Sequence, residues 1–167
     1  MRELPLTRIG VTGHTNLSSE SAPIVAKSIR TEILKTLDLA TEVVGVSCLA
    51  RGPDQIFARV ILDLGGSLEV VLPATDYRHR LVKPDNAEEF DELIGRACRV
   101  HVMPFERSNR DAYMAASEYV LESVDSMIAV WDGGPSGGTG GTADVVTAAR
   151  KRGIPVTVLW PAGAWRT

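Results

Sequence analysis

The sequence predicts a doubly wound α/β fold, a mostly parallel sheet with helices on both faces. Three observations lead there. Six short runs rich in Val, Ile and Leu recur along the chain, and helical segments separate them. The runs are apolar through most of their length, as strands covered on both faces must be. One strand and one helix per turn of the chain makes successive strands parallel neighbours joined by crossovers.

In chain order, the strands are read at Arg8–Thr12, Glu42–Ser47, Ser67–Leu72, Arg99–Met103, Ser126–Trp131 and Val156–Trp160, each dense in branched apolar residues. The intervening helices are read at Glu20–Leu37, Pro53–Leu64, Asn86–Ala97, Asp111–Ser123 and Thr142–Arg152. In the second helix, Ile56, Phe57, Val60, Ile61 and Leu64 form one apolar stripe, and Gly65-Gly66 ends it where left-handed backbone costs glycine little. The fourth helix places Tyr113, Ala116, Val120 and Val124 at intervals of one turn, which favours core packing over a ligand platform. The charged stretch Lys83–Asp91 reads as a solvated loop and helix start.

With 167 residues and no internal repeat or linker, the expectation is one domain over 1–167. Hydrophobic content of 44% and charged content of 23% are those of an ordinary soluble globular protein. The formal charge is −3, and the 18 Lys and Arg residues are scattered apart from small groups such as Arg78-His79-Arg80, so nucleic acid is not expected as a partner. Cys48 and Cys98 lack the clustering of a metal site and read as reduced, buried thiols, and the histidines form no ligand pair at helical spacing. No metal is expected. The absence of a basic-then-apolar leader or a long apolar run makes a cytoplasmic location, without a membrane partner, the default expectation.

In an open parallel sheet, the loops leaving the carboxyl ends of the strands converge near the reversal of strand order. Four such loops carry candidate residues. After the first strand, Gly13 permits close approach of a ligand, and His14 can bond a phosphate or a base edge. After the second, Gly52 relieves the turn into a helix whose first turn holds Pro53 and Asp54, with Arg51 beside it as a donor fork for phosphate or an acid. After the third, Tyr77 offers a ring and a hydroxyl, and Arg78 a positive charge.

The fifth loop is the most telling, with six glycines in the nine residues Gly133–Gly141. Gly138, Thr139, Gly140, Gly141 and Thr142 lead straight into a helix, and unhindered N–H groups beside a helix amino terminus suit a phosphate. The Lys-Ser/Thr ending of an ATP-hydrolysing P-loop is missing, and the first loop departs from the dinucleotide GxGxxG pattern.

Taken together, "VTGH", "ARGPD" and "DGGPSGGTGGTADVV" resemble the Rossmann-like nucleotide-binding superfamily called SLOG, over about Thr7 to Trp160. That superfamily includes lysine-decarboxylase-like phosphoribohydrolases that activate cytokinins, molybdenum cofactor carrier proteins and DNA-processing protein A. In the cytokinin-activating branch, a Pro-Gly-Gly-x-Gly-Thr-x-x-Glu motif joins phosphate binding to N-glycosidic cleavage. Here Gly137 and Gly138 match the paired glycines, Thr139-Gly140 add a residue, and counting from Thr142 puts Val145 where the catalytic glutamate stands. Valine transfers no proton.

The leading expectation is therefore a protein that binds a nucleotide or a phosphate-bearing nucleotide derivative through the glycine-rich loop. The alternatives are a nucleoside monophosphate phosphoribohydrolase using Asp144, Glu106 or Asp132, a molybdenum cofactor carrier, and a partner-sensing module. Catalysis and any need for Mg are left open, no cofactor is required beyond a possible bound nucleotide, and the resemblance implies a homo-oligomer, a dimer first of all.

Overall fold

A computed structural model describes residues 5–38, 42–135 and 141–167. Six parallel strands form one sheet: β1 (Leu6–Gly13), β2 (Glu42–Ser47), β3 (Ser67–Leu72), β4 (Arg99–Val102), β5 (Ser126–Val130) and β6 (Val156–Leu159). The longer helices are α1 (Ala22–Leu37), α2 (Pro53–Asp63), α4 (Ala87–Arg96), α5 (Arg110–Ser123) and α6 (Thr142–Lys151). A single turn, α3 (Tyr77–Arg80), precedes α4.

The strand order is β4-β3-β2-β1-β5-β6. The chain builds outward from β1 to β4, then returns to the other side of β1 and builds outward again through β5 and β6. The order therefore reverses between β1 and β5, and the loops that leave those two strands diverge there to open a crevice. This is a Rossmann-like doubly wound sheet.

The two-residue period of a strand sends alternate side chains to opposite faces. Ile9, Val11, Val43, Ile128 and Val130 meet Val25, Ile29 and Ile33 of α1 and Phe57 and Ile61 of α2 on one face. Val44, Val46, Val71 and Met127 meet Ala116, Val120 and Leu121 of α5 and Val145 and Ala149 of α6 on the other. A further cluster sets Leu68, Val70 and Leu72 against Phe90 and Leu93 of α4. With both faces of the central strands covered, the apolar runs read from the sequence have their physical reason.

Two sequence expectations meet a different environment. Cys98 is exposed rather than buried, because it precedes β4, an edge strand whose Val100 and Val102 are also exposed. Tyr113 does not join Ala116 and Val120 in the core: it lies in the first turn of α5 and is exposed. Among the described residues, no helix is long and apolar enough to cross a membrane.

Candidate functional site

A cavity of about 570 Å³ lies at the carboxyl ends of the central strands, where the order reverses. The loop after β1 supplies Gly13, His14 and Thr15, and α6 begins at the same cavity with Gly141 and Thr142. Ala50, Asp54 and Tyr77 enter from the β2 and β3 side. Ala116, Val120, Met127 and Val145 make an apolar wall beneath them. Four loops distant in sequence thus converge as the topology requires.

The turn from β2 into α2 is held by local bonds. Gly52, the N-cap of α2, has φ +94° and ψ −130°, a backbone that a side chain would strain. Ser47 Oγ donates to the Asp54 carbonyl oxygen (3.0 Å) and accepts from the Leu49 N–H (3.1 Å). Gln55 Nε2 donates to the Leu49 carbonyl oxygen (3.1 Å), and its amide pairs reciprocally with that of Asn86. Gly13 serves the same corner, since a Cβ there would fall 2.6 Å from the Pro53 side chain.

These bonds fix Asp54 at the cavity edge, where it is 8% exposed. One carboxylate oxygen, Oδ2, accepts from the Ala50 N–H at 3.2 Å. Burial pushes the carboxyl pKa up to about 7, against the opposing pull of that bond. Nearby, burial raises the Tyr77 phenol, and the Asp54 charge adds to the rise.

His14 occupies the opposite rim in a three-residue network. Arg166 Nη1 lies 3.1 Å from His14 Nδ1, and His14 Nε2 lies 3.1 Å from Asp132 Oδ1. Arg166 Nε also pairs with Asp132 Oδ2 at 3.0 Å. Because guanidinium only donates, Nδ1 must accept, and the ring proton sits on Nε2, directed at Asp132. Burial and the Arg166 charge lower the His14 pKa, outweighing Asp132. The Gly134 N–H and the His14 bond hold the Asp132 carboxyl below its ordinary range. His14 stacks edge-on against Trp160, with ring centroids 5.9 Å apart.

Gly13, His14, Tyr77, Gly141 and Thr142 are thus brought to one cavity, with Gly52 just behind it. Arg51 pairs with Asp85 at 2.7 Å and lines an adjoining lobe of about 450 Å³, which shares Thr15, Ala50, Tyr77 and Tyr113 with the main cavity. Arg78 forms a two-pronged bond to Asp91 (2.7 and 2.9 Å) and lines neither. Gly138, Thr139 and Gly140 lie outside the described residues. Val145, at the position of the glutamate in the cleavage motif, faces the cavity, whereas Asp144 and Glu106 do not line it.

The sequence reading omitted Arg166, which reaches the cavity from the segment after β6, 152 residues from His14. No local pattern announces such a pairing. Asp54 stood in plain sight in "ARGPD" as a helix-capping acid; a buried charge at a loop that the topology aims into the crevice was the missed signal. Among the described residues, no group of three or more His, Cys, Asp or Glu side chains could hold a metal ion.

No known family model matches the chain, and no curated protein does. Solved structures do. DNA processing protein A from Streptococcus pneumoniae superposes with a TM-score of 0.67 at 21% identity, over 95% of this chain and 52% of that one. DNA processing protein A from Helicobacter pylori, described for its single-stranded DNA binding mode, gives 0.67 at 18% identity, over 94% of this chain and 66% of that one. A molybdenum cofactor (Moco) carrier protein from Chlamydomonas reinhardtii gives 0.54 at 20% identity, over 94% and 76%. The chain thus spans about half to two thirds of the length of the DNA processing proteins it matches.

At these identities the likeness is one of fold. It is the fold of the proteins that the sequence resemblance named, DNA processing protein A and molybdenum cofactor carriers. One expectation is corrected by it: nucleic acid was not expected as a partner, yet a structural neighbour binds single-stranded DNA. A formal charge of −3 averages the whole surface, whereas a strand is held by the potential of one site, so a net negative charge does not exclude a nucleic-acid partner.

Proposed function

We propose that the protein binds a nucleotide or a phosphate-bearing nucleotide derivative in the main cavity, with the phosphate at the amino terminus of α6. The observation that carries this reading is the meeting of Gly141 and Thr142 with the β1 loop on one cavity, at the reversal of strand order. The first turn of a helix leaves N–H groups without helical partners, and its dipole favours an anion. The apolar wall of Val11, Ala116, Val120 and Met127 suits the flat face of a base. Val145 at the cavity wall supports binding over N-glycosidic cleavage, because the motif's proton-transferring carboxylate has no counterpart there.

A single-stranded DNA phosphate is a second reading, favoured by the H. pylori neighbour and by Arg51 and Lys83 in the adjoining lobe. Calorimetric titration of the protein with matched nucleosides and nucleoside monophosphates, and with a short single-stranded oligonucleotide, tests both. The nucleotide reading expects each bound monophosphate to exceed its nucleoside by about tenfold or more. Equal affinity for nucleoside and monophosphate overturns it. Tight binding of the oligonucleotide with no binding of any monophosphate transfers the site to the second reading.

A further inference from the structure

We propose that Asp54 and Tyr77 form a sugar-hydroxyl subsite, which takes the ribose of a ligand whose phosphate lies at α6. The inference rests on the nucleotide reading above and deepens it. Asp54 is buried, and only its Oδ2 is engaged, by the Ala50 N–H. Oδ1 has no partner among the described residues, and neither has the Tyr77 hydroxyl. Yet no buried side-chain nitrogen or oxygen among the described residues is sealed away without a partner. Both atoms therefore keep access to the surface, and both residues line the main cavity.

The chemistry of this pair selects the group that completes it. A phosphate would be repelled by Asp54 once this buried acid ionises, above about pH 7. An ammonium would satisfy Asp54 but offer nothing to accept the Tyr77 proton. A hydroxyl does both: it donates to Oδ1 and accepts from the phenol. A carboxylate accepting from a hydroxyl forms one of the stronger hydrogen bonds available to a protein.

Placement agrees. Asp54 follows β2 and Gly141 follows β5, and these strands flank β1 on opposite sides. Two inter-strand steps are about 10 Å, a width spanned by a ribose and its phosphate with a hydrogen bond at each end. The ligand is thus polarised across β1, with the anion over α6, the sugar over α2, and the base against the apolar wall.

The test is calorimetry on the full chain, using the four common ribonucleoside monophosphates, their dideoxy counterparts lacking both ring hydroxyls, and the parent nucleosides. Asp54→Asn keeps the shape and an acceptor for Ala50, and Tyr77→Phe keeps the ring. The wild type is expected to prefer ribose over dideoxyribose by about tenfold, and Asp54→Asn to lose most of that preference while still preferring monophosphate over nucleoside. Should Asp54→Asn fail to fold, Tyr77→Phe carries the test, with a partial loss expected. Equal affinity of the wild type for ribose and dideoxyribose forms, or an undiminished preference in the folded variants, overturns the subsite and leaves the phosphate reading standing. Absence of any gain from the phosphate overturns both.

Discussion

His14 and Asp54 titrate in opposite senses, and each leaves its own mark on stability. The folded state lowers the His14 pKa below its ordinary 6.5. Well above that value the ring is neutral in both folded and unfolded chains, and its bond from Arg166 contributes in full. As pH falls through 6.5, the unfolded chain takes up a proton that the folded ring refuses. Stability declines until pH passes the folded pKa. Thermal melts between about pH 8 and pH 5 should therefore fall more steeply for the wild type than for His14→Gln; parallel curves would show that the network does not fix the neutral ring.

Asp54 runs the other way. Its pKa rises from 3.8 to about 7, so the folded state favours the protonated acid. Below 3.8 both states hold the proton; between 3.8 and 7 the unfolded chain releases it first, and the burial cost is complete above 7. Asp54→Asn should gain stability on the order of 1 kcal/mol or more at about pH 8, measured by urea unfolding, and gain little at about pH 4. An unchanged difference across that range would contradict the buried-charge assignment. A group that costs stability at a cavity edge is what a binding site is expected to contain.

At the scale of elements, the turn from β2 into α2 is the most exacting piece of the fold. Gly52→Ala forces a side chain onto φ +94° and should cost about 1–3 kcal/mol by urea unfolding. Because that turn carries Asp54, the same variant should weaken ligand binding. Full retention of stability would mean that the turn relaxes. Gly13→Ala is expected to be destabilising for a different reason, collision with Pro53. The strands and the long helices were legible because a buried parallel strand and an amphipathic helix write different periods into the sequence. β2 and β3 span the residues expected from it. The single turn of α3 was not legible: four residues, Tyr77–Arg80, are too few to show a helical period. Tyr113 misled because its spacing fits the buried stripe of α5, although in the first turn of that helix it is exposed at the cavity, whereas Ala116 and Val120 are buried.

At the scale of the whole molecule, the candidate site follows from the return of the chain across β1. That reversal places the loops after β1 and β5 on the two sides of a crevice, and it brings β2 and β3 loops to the same end of the sheet. This much of the site was legible, since the rule that loops meet at the carboxyl ends needs only strand order. Arg166 was not, because its partners His14 and Asp132 are joined to it by packing alone. Nor was the outward pairing of Arg78 with Asp91, which depends on how α3 and α4 sit together.

The central claim is that a phosphate-bearing nucleotide occupies the crevice between β1 and β5. Backbone amide spectra recorded during titration with a nucleoside monophosphate test it most directly. The account predicts saturable shifts concentrated at Gly13, Thr15, Tyr77, Gly141 and Thr142, larger at Gly141 and Thr142 with the monophosphate than with its nucleoside. Shifts confined to the β4 edge or to the outer face of α4, with the amides at the start of α6 unmoved, would contradict it.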